Sequence, residues 1–83
     1  MSIDKRNVMI ETIKMAEDGE GIIIRMYEYE NALTKAHVSL NVKISSVIEC
    51  NLIEEEIGEV PIVEDGFKIE IKPYEIKTFK IMI

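Results

Sequence analysis

Hydrophobic and polar residues alternate along most of the chain. The clearest run covers residues 35–44, where apolar side chains occupy every second position from Ala36 to Ile44 and polar ones lie between them. Successive side chains of a β-strand point to opposite faces, so a period of two predicts a strand with one buried and one solvated face. The pattern therefore predicts a half-buried strand over residues 34–44.

The same alternation predicts further strands elsewhere. They cover roughly residues 7–15, 21–29, 46–54, 67–71 and 79–83. In the first of them the apolar positions change phase between Ile10 and Ile13, which predicts a β-bulge near residues 11–12. Residues 52–57 are open to two interpretations, because Ile53 and Ile57 lie four apart, as in a helical turn.

Turn-forming residues separate these runs. Residues 17–21 and 64–66 each contain Asp-Gly, which readily adopts positive φ and favours tight hairpins. Six or seven short strands with regular turn signals predict an all-β fold, an antiparallel β-sandwich of Ig-like size. We expect residues 1–83 to form one domain with a flexible lead over residues 1–6. The predicted core comprises Ile22, Ile24, Met26, Val38, Leu40, Val42, Ile48, Leu52, Phe67, Ile69, Phe79 and Ile81.

Composition narrows the range of partners. The 83 residues carry a net charge of −6 and form no basic patch, which argues against nucleic-acid binding. No apolar run approaches the ~20 residues that cross a membrane, and the first residues lack the apolar stretch of a secretion signal. The single cysteine fits a reducing environment, so we expect a cytoplasmic location.

No residue presents itself as a catalyst, cofactor ligand or metal ligand. His37 and Cys50 fall in opposite strand phases, whereas a metal site needs three or four converging ligands. We interpret His37 as a solvated surface residue and Cys50 as a small buried hydrophobe. The carboxylates lie at turns or alternate with apolar residues, and their spacing selects no catalytic pair.

One predicted sheet is apolar on both sides. Tyr27 and Tyr29 share a strand face with Ile23, opposite the predicted core, and Val47 and Ile53 occupy the corresponding phase of a later strand. Such a second apolar face predicts a docking surface formed by these five residues, through which the isolated domain would self-associate. The alternative is a shorter strand that leaves Tyr29 in a loop.

Several stretches together are similar to one known family. They are residues 7–14 with 16–19, residues 24–28 (Ile-Arg-Met-Tyr-Glu), residues 51–54 (Asn-Leu-Ile-Glu) and residues 73–81 (Pro-Tyr-Glu-Ile-Lys-Thr-Phe-Lys-Ile). In this order and spacing they resemble the C-terminal β-sandwich domain of the glycoside hydrolase family 38 α-mannosidases. The resemblance extends from about Asn7 to Ile83.

The resemblance implies a role that composition does not reveal. That family hydrolyses α-linked mannosides with retention of configuration, and its nucleophilic aspartate and divalent metal, usually zinc, belong to an upstream catalytic region. None of those catalytic residues maps to this sequence. The implied role is a non-catalytic domain that braces the catalytic region and borders its sugar cleft, with the remainder of the enzyme as partner and mannosides as substrates only of the whole. The alternatives are a stand-alone carbohydrate-binding module and an Ig-like interaction module.

Overall fold

The computed structural model describes residues 1–83, which form two antiparallel sheets and no helix. The strands are β1 (Ser2–Ile3), β2 (Val8–Met15), β3 (Ile22–Glu28), β4 (Thr34–Ser39), β5 (Ser46–Cys50), β6 (Glu56–Val60), β7 (Ile62–Val63), β8 (Gly66–Ile71) and β9 (Ile76–Met82). One sheet has the order β1-β4-β8-β7, and the other has the order β2-β3-β9-β5-β6. The predicted all-β sandwich is confirmed, with nine strands because short edge strands add to the predicted number. With no helix present, none is long and apolar enough to cross a membrane.

The core lies between the two sheets. Phe67 of β8 and Phe79 of β9 meet there, with ring centroids 4.9 Å apart and planes tilted by 50°, an arrangement that favours aromatic contact. The predicted core residues that the structure buries in this cluster are Ile24, Met26, Val38, Phe67, Ile69, Phe79 and Ile81, while Ile22 and Leu40 pack against it partly buried.

The predicted bulge in β2 is confirmed. The register with β3 shifts between Ile10 and Thr12, and beyond it Ile13 pairs with Ile24. Directly paired residues share a face, so Ile13 returns to the inner face of its sheet. Because β2 is an edge strand, Ile13 nevertheless stays 57% exposed.

The predicted strand over residues 34–44 is too long. β4 ends at Ser39, and the chain then crosses from the four-stranded to the five-stranded sheet. A strand that changes sheets must leave its ladder, so Val42 lies in the crossing segment and is 47% exposed instead of belonging to the core. Ile44 is buried again as the chain approaches β5.

The predicted phase of β5 is wrong. Val47 pairs with Ile81 and lies 1% exposed in the core, whereas Ile48 pairs with Lys80 on the outer face. The strand also ends at Cys50, so Leu52 falls in the following turn and is 61% exposed. Residues 52–57 form that turn and the start of β6, not a helical turn.

The β7–β8 hairpin forms where the Asp-Gly sequence predicts a turn. Its two positive-φ residues are Glu64 and Asp65, not the glycine. Gly66 is required for a different reason, because a Cβ atom there would lie 1.8 Å from the carbonyl oxygen of Val38. The close approach of β8 to β4 thus depends on a residue without a side chain.

Part of the expected N-terminal lead is paired. Ser2 and Ile3 form β1 at the edge of the four-stranded sheet, opposite Ser39 and Val38. Asp4 then accepts a hydrogen bond of 2.7 Å from the backbone N–H of His37.

Candidate functional site: the outer face of the five-stranded sheet

The face of the five-stranded sheet that points away from the core carries three rows of paired side chains on β2, β3 and β9, of which Thr12, Arg25 and Thr78 form the middle one. The covered row consists of Lys14, Ile23 and Lys80, and the open row consists of Met9, Tyr27 and Ile76. Both rows run from β2 across β3 to β9, so they share the same strands and differ only in position along them. Their surroundings differ sharply.

The loop of residues 16–21 closes over one end of the covered row. Asp18 in this loop accepts a hydrogen bond from the Lys80 ammonium, which lowers the pKa of Asp18 and raises that of Lys80. Gly21, at φ 83°, lets the loop approach β9, since a Cβ atom there would lie 2.7 Å from the carbonyl oxygen of Ile81. The hairpin loop is therefore fastened to the sheet face by an ion pair.

The loop of residues 51–55 closes over the other end of the covered row. Glu54 pairs with the Lys14 ammonium at 2.7 Å and also accepts a hydrogen bond of 3.1 Å from the backbone N–H of Glu17. The hydrogen bond from Lys14 lowers the pKa of Glu54. Arg25 donates to a backbone carbonyl of the same loop at 3.3 Å. The two loops therefore cover this part of the face together.

These loops bury the apolar residues beneath them. Ile23 is 0% exposed although it faces away from the core, and Cys50 is buried on the same face opposite Thr78. The expectation that Cys50 is buried is confirmed, and burial, with the nearby Glu56 carboxylate, raises the pKa of its thiol. Ile23 is covered by the chain itself and Val47 lies in the core, so neither contributes to an exposed surface.

The open row has no such cover. Met9 and Ile76 are 46% and 47% exposed, and Tyr27 between them is half-buried. Tyr29 and Tyr74 flank the row at 44% and 65% exposure, which brings all three tyrosines of the chain to one place. The row and its neighbours enclose a shallow groove of about 490 Å³ lined by Glu11, Tyr27, Glu28, Tyr29, Tyr74 and Ile76.

Tyr29 is held beside the groove although it lies outside β3. Its hydroxyl donates a hydrogen bond of 2.7 Å to the carbonyl of Arg6, and its ring lies 6.3 Å from that of Tyr27 with a tilt of 60°. The shorter strand considered as an alternative is therefore the correct one, and Tyr29 still joins Tyr27. Ile53, by contrast, is 73% exposed on the loop of residues 51–55 and does not line the groove.

The buried carboxylate of Glu28 lies at the end of the groove. Its oxygens accept hydrogen bonds from the backbone N–H groups of Tyr74 at 2.9 Å and Glu30 at 2.7 Å and from the side-chain amide of Asn7 at 2.9 Å. Burial raises the pKa of Glu28, but these hydrogen bonds, together with one from Ala32, outweigh it and bring the pKa to about 2.

Comparison with known proteins identifies the family of this sandwich. Residues 7–79 match the family described as the glycosyl hydrolases family 38 C-terminal beta sandwich domain. The chain belongs to this family. Alpha-mannosidase G of Dictyostelium discoideum is 34% identical over an alignment of 85 positions, which covers 99% of this chain and 8% of that protein. The chain thus spans a small fraction of its relative's length. No solved structure matches.

The geometry of this family 38 domain brings together no catalytic carboxylate pair. Glu11 and Glu28 both border the groove, and glycoside hydrolysis requires a pair in which one carboxylic acid carries a raised pKa. Glu28 has its pKa lowered, and its oxygens are occupied by internal donors. Glu28 therefore acts as a hydrogen-bond acceptor within the fold and is poorly suited to proton transfer.

The family 38 domain also offers no metal site. No group of three or more His, Cys, Asp or Glu side chains is placed to hold a metal ion. His37 lies on the polar face of β4, where Nε2 donates to the carbonyl of Val63 at 2.8 Å and Nδ1 accepts from the Ser39 hydroxyl at 3.1 Å. The divalent metal that the family resemblance implies does not fit the residues of this chain.

Sequence reasoning identified two of the six groove residues and missed the other four. Tyr27 and Tyr29 were predicted to lie on a docking face, whereas Glu11, Glu28, Tyr74 and Ile76 were not. The prediction began the last strand at Phe79, but β9 begins at Ile76. The signal for Ile76 was present, because it alternates in phase with Thr78 and Lys80 on the face opposite Phe79.

Proposed function

We propose that this domain is a non-catalytic module of an α-mannosidase and packs against the remainder of that enzyme through the open row and its flanking tyrosines. The observation that supports this proposal is the contrast on one sheet face. The chain's own loops bury Ile23 in the covered row, while Met9 and Ile76 in the open row remain 46% and 47% exposed. An apolar row that stays exposed beside a covered row on the same sheet face favours a partner there.

The composition of the open row favours a protein partner. Methionine and tyrosine are enriched at the buried centres of protein interfaces, where charged residues are depleted. The matched segment is 8% of alpha-mannosidase G, so most of that relative's chain lies outside it and supplies the partner we propose. Sugar hydrolysis and metal binding would belong to that remaining part, with this domain bracing it.

The groove supports a finer proposal about the sugar cleft. Tyr74 and Glu11 lie at its rim and are exposed. With the open row packed against the catalytic part, these rim residues would border the cleft that receives the mannoside. The hydroxyl of Tyr74 and the Glu11 carboxylate are the polar groups that could reach substrate hydroxyls.

One observation favours a second candidate, direct carbohydrate binding by the domain alone. All three tyrosines border the same groove, and exposed aromatic rings beside polar groups suit a sugar. The polar groups are few, however, because the Tyr29 hydroxyl already donates to Arg6 and Glu28 is saturated by internal donors. The groove therefore favours a protein occupant over a free sugar.

A transplant experiment tests the docking proposal. In alpha-mannosidase G, the matched segment would be replaced by this chain. The activity of the resulting enzyme would be measured as hydrolysis of a nitrophenyl α-mannoside, and its stability as the rate at which heat inactivates it. Met9→Ser with Ile76→Ser should speed thermal inactivation by about tenfold or more, because the interface loses its apolar centre. The control, Leu33→Ser with Val42→Ser, alters two exposed apolar residues elsewhere and should change the rate little.

Two outcomes would contradict the docking proposal. One is an inactive transplant that carries the unaltered chain, and the other is an equal effect of both double variants. Hydrolysis of the nitrophenyl mannoside by the purified 83-residue chain would contradict the non-catalytic role. A titration of the chain with methyl α-mannoside, followed by NMR at Tyr27, Tyr29 and Tyr74, tests the second candidate, which a flat titration would remove.

A further inference from the structure

Glu28 joins three segments that come together at the groove. It is the last residue of β3, and its carboxylate accepts hydrogen bonds from Tyr74 in the β8–β9 turn, from Glu30 in the β3–β4 connection and from Asn7 just before β2. The segments are far apart in sequence. One side chain therefore sets the relative positions of the backbone at Tyr74 and next to Tyr29.

The carboxylate of Glu28 is buried, and its oxygens accept hydrogen bonds from within the chain. Glu28 is 1% exposed, and Asn7, its amide partner, also donates to the Thr34 hydroxyl at 2.7 Å. No buried side-chain nitrogen or oxygen in the chain lacks a partner. Hydrogen bonds to an ionised acceptor are about twice as strong as those between neutral groups. The arrangement is thus a strong, local constraint on the groove rim.

Two backbone positions near this carboxylate lie in the left-handed region, and the tyrosine among them requires such a constraint. Tyr74 has φ 57° and Asn31, which follows Glu30, has φ 58°. The left-handed region is uncommon for residues other than glycine, particularly for a bulky residue such as tyrosine. Because Glu28 binds the N–H of Tyr74 itself and of Glu30, it stabilises both turns in this conformation.

We infer that Glu28 is a positioning residue that holds Tyr29 and Tyr74 beside the open row, at the same end of the sheet, before any partner binds. The inference rests on the proposed function for its meaning in docking, but its structural part stands alone. A surface whose side chains are already placed loses less conformational entropy on binding, which raises affinity. Glu28 would thereby contribute to docking without touching the partner.

Amide hydrogen exchange of the 83-residue chain tests the structural part. Glu28→Gln keeps the size of the side chain but removes its charge and one acceptor oxygen. Exchange at the Tyr74 and Glu30 amides should become about tenfold faster or more, while the amides of Phe79 and Ile81 in β9 change little. Glu11→Gln, a matched change at the same groove, should alter none of these rates. Unchanged exchange at Tyr74 and Glu30 in Glu28→Gln would overturn the inference.

The transplanted enzyme tests the docking part. Glu28→Gln should speed thermal inactivation more than Ile69→Val, a change in the four-stranded sheet. The two variants are compared under conditions in which their isolated domains have the same free energy of unfolding. Glu28→Asp keeps the charge of the carboxylate, so it should be inactivated by heat more slowly than Glu28→Gln. Equal effects of Glu28→Gln and Ile69→Val would reduce Glu28 to a general stabiliser. If instead the variants of Met9 and Ile76 leave the transplant unaffected, the proposed function fails while the exchange result still stands.

Discussion

The covered and open rows show how one sheet face can be closed in part by its own chain. Each row has an apolar or aromatic residue of β3 at its centre, Ile23 or Tyr27, with neighbours on β2 and β9. Ile23 is fully buried because its neighbours Lys14 and Lys80 bind acidic residues of two loops. The open row has apolar neighbours instead, so no loop is held over it.

The difference teaches that charge, more than hydrophobicity, decides which half of the face is closed. In the covered row the lysine stems flank an apolar residue while their ammonium groups fix the loops above it. The open row contains methionine, tyrosine and isoleucine, which offer a loop no ionic attachment. Its cover must come from hydrophobic contact with another surface.

The largest expected effect comes from truncating the centre of the covered row. Ile23→Ala should lower the free energy of unfolding by about 3 kcal/mol, because it empties a fully buried site. Ile76→Ala in the open row should cost below about 1 kcal/mol, since that side chain is half exposed. Urea unfolding of both variants measures these changes. Equal losses in the free energy of unfolding would show that the two rows do not differ as described.

A second effect appears in acid. The folded pKa of Glu28 is about 2, below its ordinary value of 4.5, so the unfolded chain binds this proton first as the pH falls. The stabilisation from Glu28 is therefore complete above pH 4.5 and is lost progressively as the pH falls from 4.5 towards 2. Asp18 and Glu54 of the covering loops, whose pKa values are also lowered, contribute with the same sign.

Urea unfolding between pH 6 and pH 3 measures this dependence. Glu28→Gln should show a visibly shallower fall in stability across that range than the unaltered chain. If the free energy of unfolding of Glu28→Gln falls as steeply with pH as that of the unaltered chain, Glu28 is excluded as a source of acid sensitivity.

A smaller effect concerns the thiol of Cys50, which is buried next to the covered row on the same sheet face. Cys50 is 3% exposed, so it should react slowly with a disulfide reagent at neutral pH. Glu54→Ala removes the contacts of the loop with Lys14 and Glu17 and should raise the rate roughly tenfold by easing local opening. Glu59→Ala on exposed β6 is the control. A fast reaction in the unaltered chain would mean that the loops do not close this half.

The smallest effect is self-association through the open row. At high concentration the isolated chain should form weak dimers detectable by sedimentation, because the row exposes apolar side chains. Met9→Ser with Ile76→Ser should weaken this association several-fold. A strictly monomeric unaltered chain would show that the row is too small to associate without a matching surface.

The alternation of apolar and polar residues predicted correctly those strands in which only one of the two sets of alternate positions is apolar. In β8, Phe67 and Ile69 alternate with charged residues, and both are buried as expected. In β5, both Val47 and Ile48 are apolar, so the sequence cannot assign the inner face, which depends on pairing with the distant β9. Val42 follows the same alternation as the residues of β4, so it was predicted to be in the core. The strand ends at Ser39, however, because the chain crosses there to the other sheet.

The candidate site was predictable only in part for a related reason. The exposed phase of β3 carries Tyr27, and periodicity identified it. The same phase carries Ile23, but its burial depends on ion pairs of Lys14 and Lys80 with loops distant in sequence. No local pattern reveals such pairs. Tyr74 was missed because its position follows from a turn that Glu28 holds.

Oxidative footprinting tests the central claim most directly. Met9 in the open row and Met15 at the sheet edge are both exposed, so both should be oxidised readily in the isolated chain. In the transplanted α-mannosidase, we predict that Met9 becomes protected several-fold while Met15 is oxidised at its former rate. Equal oxidation of Met9 in the isolated chain and in the assembled enzyme would contradict the claim that the open row is the interface.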